Sequence, residues 1–270
     1  MEQNTQFTTN RKLELNSFPA TTPSHKGSLL FLHGMSHAAW CWEWCFVPYF
    51  QSLGYHCYTL SYRGHGNSWG VARRRWWRIA DYVEDVKEAL LRVPDAIVVS
   101  HSMGGFILQK LLLEGMALRA GVLLSPIPPG GMWKGSLKTA IKFPLKFIRG
   151  NLSLSTDPFA ETPFAVQTLC FSADISSDML LRTQAALHSE SYRAYLDLLF
   201  MDLHNAKVVD VPLLFLHGEH DFLLDREVLA KAATAFGAEF ESLPAVAHDM
   251  MLDTRWQTVA QRVAQWLDQL

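Results

Sequence analysis

The chain has 270 residues, 49% of them hydrophobic and 19% charged, a length that allows one large α/β domain, or two small ones, with a substantial core. Its net charge of -2 provides no overall attraction to nucleic acid or to an anionic membrane. The polar first twenty residues argue against a secretory signal and no apolar run is long enough to span a bilayer, so we expect a cytosolic protein.

Short apolar runs in the first third of the chain predict the first strands of a sheet. A weak strand over residues 13–18 precedes an almost wholly apolar one over residues 28–32, which leads directly into His33 and Gly34. An aromatic-rich helix is predicted over residues 38–44. A further strand over residues 55–61 then runs into a loop with two glycines, which allow a tight turn.

The most informative stretch contains Ser102. A β-branched apolar run over residues 96–100 ends just before it, and an apolar helical pattern begins just after it. A strand, a tight turn and a helix hold a serine hydroxyl clear of the backbone, provided that the residues two before and two after are small, as Ser100 and Gly104 are. The helix beginning at Met103 would aim its free N–H groups at the same place.

This stretch resembles the nucleophile elbow of α/β-hydrolases, in the form seen in monoacylglycerol lipases, lysophospholipases and esterases. Ser100 stands where the family usually has glycine. The loop after the third strand is also similar to the family's Asp-x-Arg-Gly-His-Gly-x-Ser loop, with Ser61 in place of the aspartate. The resemblance implies an α/β-hydrolase fold, in which a mostly parallel central sheet is flanked by helices and a helical cap is inserted.

The resemblance also implies an oxyanion hole. In the family, a strand-end His-Gly pair precedes one backbone N–H donor, and the residue after the nucleophile provides the other. These donors would be Met35 and Met103 here. His33, Gly34 and Ser36 would then be the residues nearest the substrate.

The middle of the chain changes character after a strand over residues 121–125. A proline- and glycine-rich cluster follows, and from residue 132 to residue 205 only helix-like patterns and polar breaks occur. This is where the family inserts its cap. The implied division is a catalytic core of residues 1–128 and 206–270 with a helical cap of residues 129–205.

The first part of this cap region is basic and amphipathic. Over residues 133–149, lysines recur at four-residue spacing between large apolar residues, and Pro144 is expected to kink or end the helix. Such a stretch is typical of a cap helix packed on one side and solvated on the other. Together with a second basic, aromatic cluster over residues 73–77, it could instead make weak contact with an anionic lipid surface.

Two later loops contain the remaining candidate catalytic residues. A strand over residues 212–216 leads to Asp221, and a strand over residues 239–243 leads to His248, before a final helix over residues 254–267. In the family these loops carry the acid and the base, so the resemblance implies the triad Ser102, Asp221 and His248. Glu219 and Asp225 compete for the acid, although Asp225 is better placed to cap a helix over residues 226–236.

We therefore predict a serine hydrolase that cleaves a carboxylic ester, with an apolar or lipid-like acyl group, through an acyl-enzyme on Ser102. The segment around Trp40 also resembles plant methylesterases and hydroxynitrile lyases. Those lyases carry lysine directly after the catalytic histidine, whereas this chain has Asp249, which argues against lyase chemistry. An acyltransferase or thioesterase, a C–C bond hydrolase, and a ligand-binding member without activity remain alternatives.

No cofactor, metal or nucleic-acid partner is predicted. The chain contains no dinucleotide fingerprint or phosphate-binding loop, and its four cysteines show no metal-ligand spacing. Cys41, Cys45, Cys57 and Cys170 are therefore expected to be core thiols, and His65 to be a packing residue rather than the base. The partner expected is a small or lipid-like ester, and no pattern indicates an oligomeric state.

Overall fold

A seven-stranded sheet forms the centre of the computed structural model, which describes residues 11–23, 25–93, 95–203 and 205–270. In chain order the strands are β1 (Glu14–Phe18), β2 (Gly27–Leu32), β3 (Tyr55–Ser61), β4 (Ile97–His101), β5 (Gly121–Leu124), β6 (Leu213–Gly218) and β7 (Glu239–Leu243). They pair in the order β1-β3-β2-β4-β5-β6-β7, and only β1 runs antiparallel to its neighbour. The first ten residues, part of the segment expected to lack a secretory signal, lie outside the described residues.

Twelve α-helices are found among the described residues. They are α1 (Trp40–Glu43), α2 (Phe46–Ser52), α3 (Ile79–Arg92), α4 (Met103–Leu113), α5 (Trp133–Lys142), α6 (Pro144–Ser153), α7 (Asp157–Ala160), α8 (Pro163–Cys170), α9 (Ser177–Ala186), α10 (Tyr192–Phe200), α11 (Arg226–Phe236) and α12 (Trp256–Leu267). A 3₁₀ helix, Val71–Trp76, precedes α3. None of these helices is long and apolar enough to cross a membrane, and the cytosolic location stays a prediction.

Helices cover both faces of the sheet because successive strand residues point to opposite sides. From β2, Leu29 and Phe31 pack with α1, α2 and α12, whereas Leu30 and Leu32 pack with α3, α4 and α11. The predicted fold class, a mostly parallel sheet flanked by helices, is therefore confirmed. The carboxyl ends of β2, β4, β6 and β7 all lead into the loops that carry the candidate site residues.

The segment between β5 and β6 forms helices α5 to α10, and no strand interrupts its described residues. Met132 N–H donates to the carbonyl of Leu198, which joins the two ends of this cap. The Arg78 guanidinium pairs with Asp197 at 2.7 Å and fastens α10 to the start of α3. As expected, Pro144 ends the first cap helix: α5 stops at Lys142 and Pro144 begins α6.

The expectation that the Asp225 side chain caps the helix over residues 226–236 is wrong. Asp225 is the residue before α11, but its carboxylate makes no capping hydrogen bond. Instead it accepts a hydrogen bond from Lys138 Nζ on α5 at 2.6 Å. A charged donor forms a stronger bond than a backbone N–H, and nothing in the local sequence signals this donor from 87 residues away.

The loop that lacks the family's aspartate obtains a carboxylate from β1. Glu14 Oε2 accepts hydrogen bonds from Ser61 Oγ at 2.6 Å and from Asn67 N–H at 2.9 Å. Ser61 Oγ in turn accepts from Ala39 N–H at 2.9 Å. The antiparallel edge strand thus fixes both the glycine loop and the start of the aromatic segment.

Candidate active site

Ser102 lies in the sharp turn between β4 and α4. Its backbone has φ 49° and ψ -112°, a conformation that is strained for any residue except glycine. Two hydrogen bonds hold it: Ser102 N–H donates to the carbonyl of Leu124 at 3.1 Å, and Ile127 N–H donates to the carbonyl of Ser102 at 3.0 Å. The neighbouring strand β5 therefore maintains the strain.

The turn packs tightly against the end of β2. A Cβ atom at Gly104 would lie 2.6 Å from the carbonyl oxygen of Leu32, and one at Gly34 would lie 3.1 Å from the Cβ of Ser102. Only glycine allows both contacts. Ser100, the departure from the usual glycine, fits because its buried hydroxyl donates to the carbonyl of Val122 at 3.0 Å.

Three predicted catalytic residues form one hydrogen-bonded chain. His248 Nε2 lies 3.0 Å from Ser102 Oγ, and His248 Nδ1 lies 2.8 Å from Asp221 Oδ2. The other oxygen of Asp221 accepts from the N–H groups of Leu223 and Leu224 at 2.8 and 3.0 Å. Because Asp221 is an acceptor, Nδ1 carries the proton and Nε2 is free to take one from the serine.

The electrostatics agree with this proton arrangement. Burial disfavours the charged form of His248, but Asp221 beside it outweighs burial and raises the pKa of the imidazole above its ordinary value. Burial likewise opposes the charge of Asp221, yet His248 and the backbone N–H of Leu224 bring the pKa of Asp221 below its ordinary value. Asp221 is therefore ionised and stabilises an imidazolium on His248. The competing Glu219 is exposed to solvent.

Met35 and Met103 lie where the oxyanion donors are expected. Met103 is the first residue of α4, and Met35 follows the glycine that packs against Ser102. Among the described residues, neither backbone N–H has a hydrogen-bond acceptor within the chain. Two unpaired donors beside a serine hydroxyl can hold a developing negative charge.

A buried ion pair fixes the carbonyl side of the Met35 loop. His37 Nε2 lies 3.0 Å from Asp249 Oδ2, and His37 Nδ1 lies 2.7 Å from the carbonyl oxygen of Met35. Both ring nitrogens face acceptors, so His37 is an imidazolium. Burial alone would lower the pKa of His37, but Asp249 raises it; burial would raise the pKa of Asp249, but His37 and His101 lower it to about 2.

A cap carboxylate fixes the other side of the same loop. Glu190, which is 1% exposed, accepts from the Ser36 N–H at 3.0 Å, from Tyr82 Oη at 3.0 Å and from His65 Nε2 at 3.1 Å. His188 N–H donates to the carbonyl of Ser36 at 3.1 Å. These bonds hold Ser36 at a φ of 63° and connect the cap to the Met35 loop.

A cavity of about 160 Å³ lies above Ser102. Its floor includes Ser102, His248 and Ser36, and its walls come mostly from apolar cap residues such as Phe147 and Leu187. Of the three residues expected nearest the substrate, only Ser36 lines this cavity. His33 is fully buried, accepts from the Tyr62 N–H at 3.2 Å, and burial keeps the pKa of His33 well below its ordinary value.

Gly34, the third of these residues, packs directly against Ser102, since a Cβ atom at Gly34 would lie 3.1 Å from the Ser102 Cβ. Cys41, Cys45 and Cys57 are buried free thiols, and Cys170 borders the cavity. His65 bonds Glu190 and not Ser102, which fits a packing role.

His101, His248 and Asp249 are close enough to form a metal site, because one ligand atom from each lies within 4.8 Å of the others. However, His248 is occupied by Ser102 and Asp221, and Asp249 by His37. Burial and the neighbouring His248 lower the pKa of His101 to about 3, and its Nε2 is taken up by the carbonyl oxygen of His248 at 3.0 Å. We assign no metal to this cluster, and the predicted absence of a metal stays a prediction.

Sequence reasoning missed Glu190, His37 and the pairing role of Asp249. The only available signal was the presence of Asp249 where the lyases carry lysine. Glu190 stands in a polar stretch with no motif around it, and its main-chain partner Ser36 is 154 residues away.

Comparisons with known proteins agree with this fold. The model of the alpha/beta hydrolase family matches residues 29–262. Similar solved structures include an esterase from Exiguobacterium antarcticum (TM-score 0.72, 15% identity, covering 95% of both chains) and a monoacylglycerol lipase from Paleococcus ferrophilus (TM-score 0.72, 16% identity, covering 95% of this chain and 98% of that one). MenH from S. aureus is similar as well (TM-score 0.71, 18% identity, covering 94% and 98%). No curated protein sequence matches the chain.

Proposed function

Because the chain belongs to the alpha/beta hydrolase family, we propose that it hydrolyses a carboxylic ester through an acyl-enzyme on Ser102. Esterases and lipases among its structural neighbours support hydrolase activity. The observation that carries the finer proposal is the continuous chain of hydrogen bonds from Asp221 through His248 to Ser102, at the floor of an apolar cavity.

The proposed reaction uses only groups of this chain and water. Ser102 Oγ attacks the ester carbonyl carbon while His248 Nε2 takes its proton, and the N–H groups of Met35 and Met103 hold the oxyanion. The imidazolium then protonates the leaving alcohol, which departs and leaves an acyl group on Ser102. A water molecule attacks this acyl group with His248 again as base, and the acid is released.

The cavity restricts the acyl group. Its volume of about 160 Å³ is close to that of a protein cavity of about 150 Å³ that holds one benzene ring. The polar groups in its walls are few, and Phe147 and Phe159 border it from the cap. We propose an apolar acyl group of short to medium length, since a long chain would need the cap to open.

The test combines active-site labelling with ester turnover. The wild type should react with a fluorophosphonate probe and should hydrolyse p-nitrophenyl esters, with a maximum at short to medium acyl chains. Ser102→Ala should lose labelling and lower turnover by about 10⁴-fold or more while keeping its circular dichroism spectrum. Ser100→Ala is the control: it removes only the bond to Val122 and should keep most activity.

The outcomes separate the alternatives. If the probe labels the protein but no ester is turned over, the same serine acts in acyl transfer, in thioester hydrolysis or in C–C bond hydrolysis. Neither labelling nor turnover indicates a ligand-binding protein and overturns the proposal. Equal losses from Ser102→Ala and Ser100→Ala would mean that the nucleophile is misassigned.

A further inference from the structure

Helices α5 and α6 expose a row of large apolar side chains. These residues recur every three or four positions, and each is more than half exposed: Trp133, Leu137, Ile141, Leu145, Ile148 and Leu152. The two helices pack on the protein through smaller residues instead, including the buried Gly135, Thr139 and Gly150. Six large apolar side chains exposed on two neighbouring helices are unfavourable in water and mark a surface that binds something.

The same helices are strongly basic. Residues 126–156 contain four lysines and Arg149 but no aspartate or glutamate, although the whole chain has a net charge of -2. Lys138, Lys146 and Arg149 pair with carboxylates from other segments. Lys134 and Lys142 lie 5.7 Å above the rings of Trp133 and Phe164, and pair with no carboxylate of the described residues. Uncompensated positive charge therefore borders the apolar row.

These helices also form a wall of the candidate active site. Phe147 and Asn151 of α6 line the cavity above Ser102, as do Ser136 and Thr139 of α5. The exposed Ile148 follows Phe147 directly and points away from the cavity. One side of each helix thus faces the site and the other side faces outward.

We propose that this surface, formed by the six exposed apolar residues of α5 and α6 with Lys134 and Lys142 beside them, docks the protein on an anionic lipid surface. Leucine, isoleucine and tryptophan beside lysine and arginine are the composition of helices that lie in the plane of a membrane interface. Lysine is depleted from protein–protein interfaces, and two copies of this surface would bring like charges together. A lipid surface satisfies both the apolar row and its charge.

The surface defined above does not include the basic cluster of residues 73–77, in which Trp76 is 61% exposed and Trp77 is bonded within the protein. Trp77 donates from Nε1 to the carbonyl of Gly70 at 2.9 Å, and the guanidinium groups of Arg63 and Arg73 lie over its ring. Trp77 is therefore engaged within the protein. The proposal goes beyond ester hydrolysis, because docking does not use Ser102.

Co-sedimentation with lipid vesicles tests the docking surface. The full chain should bind vesicles that contain phosphatidylglycerol, bind pure phosphatidylcholine vesicles much less, and lose the difference in high salt. Ile141→Ser with Leu145→Ser should weaken binding at least about tenfold. Its matched control, Leu91→Ser with Val208→Ser, changes residues of similar exposure elsewhere and should bind like the wild type.

A second pair of variants tests the charge. Lys134→Gln with Lys142→Gln should weaken binding to the anionic vesicles about tenfold, whereas Lys207→Gln with Lys231→Gln should have little effect. Ser102→Ala should bind normally, which separates this proposal from the proposed catalysis. No binding, or binding indifferent to lipid charge and to these residues, overturns the proposal. The proposal is also overturned if the protein is a dimer in sedimentation velocity and Ile141→Ser with Leu145→Ser dissociates it, since the surface would then be a subunit interface.

Discussion

At the scale of single residues, the site depends on carboxylates that lie beneath the cavity. Asp221 bonds His248, the proposed base, Asp249 holds His37 against the Met35 carbonyl, and Glu190 holds the Ser36 N–H. Each is buried, and each has its pKa lowered by its partners although burial opposes the charge. In the proposed mechanism their effects should differ, because only Asp221 contacts His248, the proposed base.

The acid assignment can be tested by two matched substitutions. Asp221→Asn should lower kcat by about 10³- to 10⁴-fold, because the amide favours the wrong tautomer of His248. Asp225→Asn should leave kcat within about twofold, because it breaks only the half-exposed pair with Lys138. An inactive Asp225→Asn protein with a normal fold would contradict the assignment.

The pH dependence should report the charge of Asp221. His248 must be neutral to accept a proton, so kcat/KM should rise with pH through a midpoint above 6.5, the ordinary pKa of histidine. In Asp221→Asn the residual activity should show a midpoint at lower pH, because the charge that raises the pKa of His248 is gone. An unchanged midpoint would mean that another group limits the rate at acid pH.

Glu190 should act as a positioning residue for the oxyanion hole. Glu190→Gln keeps the size of the side chain but removes its charge, which weakens the bonds to Ser36 and His65. We expect kcat to fall about 10- to 100-fold with KM nearly unchanged, and a boronic acid transition-state analogue to bind more weakly by a similar factor. Glu161→Gln, an exposed cap carboxylate, is the control. If Glu190→Gln lowers kcat and thermal stability but binds the analogue normally, Glu190 has only a structural role.

At the scale of elements, two adjacent residues of helix α6 lie in different environments. Phe147 lines the cavity and Ile148 is 55% exposed. Phe147→Ala should enlarge the cavity and move the best p-nitrophenyl ester to a longer acyl chain, whereas Ile148→Ala should leave the chain-length profile unchanged. The measurement is kcat/KM across esters of two to twelve carbons. If Phe147→Ala leaves this chain-length profile unchanged, the acyl group does not bind beside Phe147.

The sequence predicted the elements whose signals are local. The apolar runs of β2, β4 and β6 and the small residues around Ser102 determine the strands and the turn, and the strand-end positions of Asp221 and His248 bring them to one edge of the sheet. The direction of the apolar row on α5 and α6 could not be predicted, because helical periodicity does not say which face meets the protein. The hydrogen-bond partners of Glu190 and Lys138 are far away in the sequence, and no local pattern indicates them.

At the scale of the whole molecule, cap and core are joined by buried charge. Glu190 bonds the cap to the Ser36 loop and to Tyr82 of α3, while Ser172 at the end of α8 donates from Oγ to Asp253 at 2.6 Å. Separating the cap would leave these carboxylates unpaired in an apolar interior, which is costly. We therefore expect cap and core to unfold in one transition.

Acid should destabilise the folded protein. The pKa values of Glu190 and Asp249 are about 2 in the folded protein, against ordinary values of 4.5 and 3.8. A carboxylate whose pKa is lowered by folding stabilises the folded protein at pH values above its ordinary pKa. This stabilisation, roughly 2–3 kcal/mol for each group, is lost as the pH falls toward 2. Urea unfolding between pH 5 and pH 2.5 should show this decrease, and Asp249→Asn should make it shallower. A stability that stays constant over this range would contradict the charged state of the pair.

The bond between Glu14 and Ser61 has a consequence for the ancestry of the chain. The α/β-hydrolase loop that this segment resembles has an aspartate at the end of the third strand, whereas here Glu14 of the first strand supplies the carboxylate that holds the loop. Positions 14 and 61 should therefore covary among homologues: aspartate at 61 makes an acid at 14 redundant, and both together would force two like charges into one place. A change at one position alone would leave the loop with two carboxylates or with none, so the residue tolerated at 14 depends on the residue at 61.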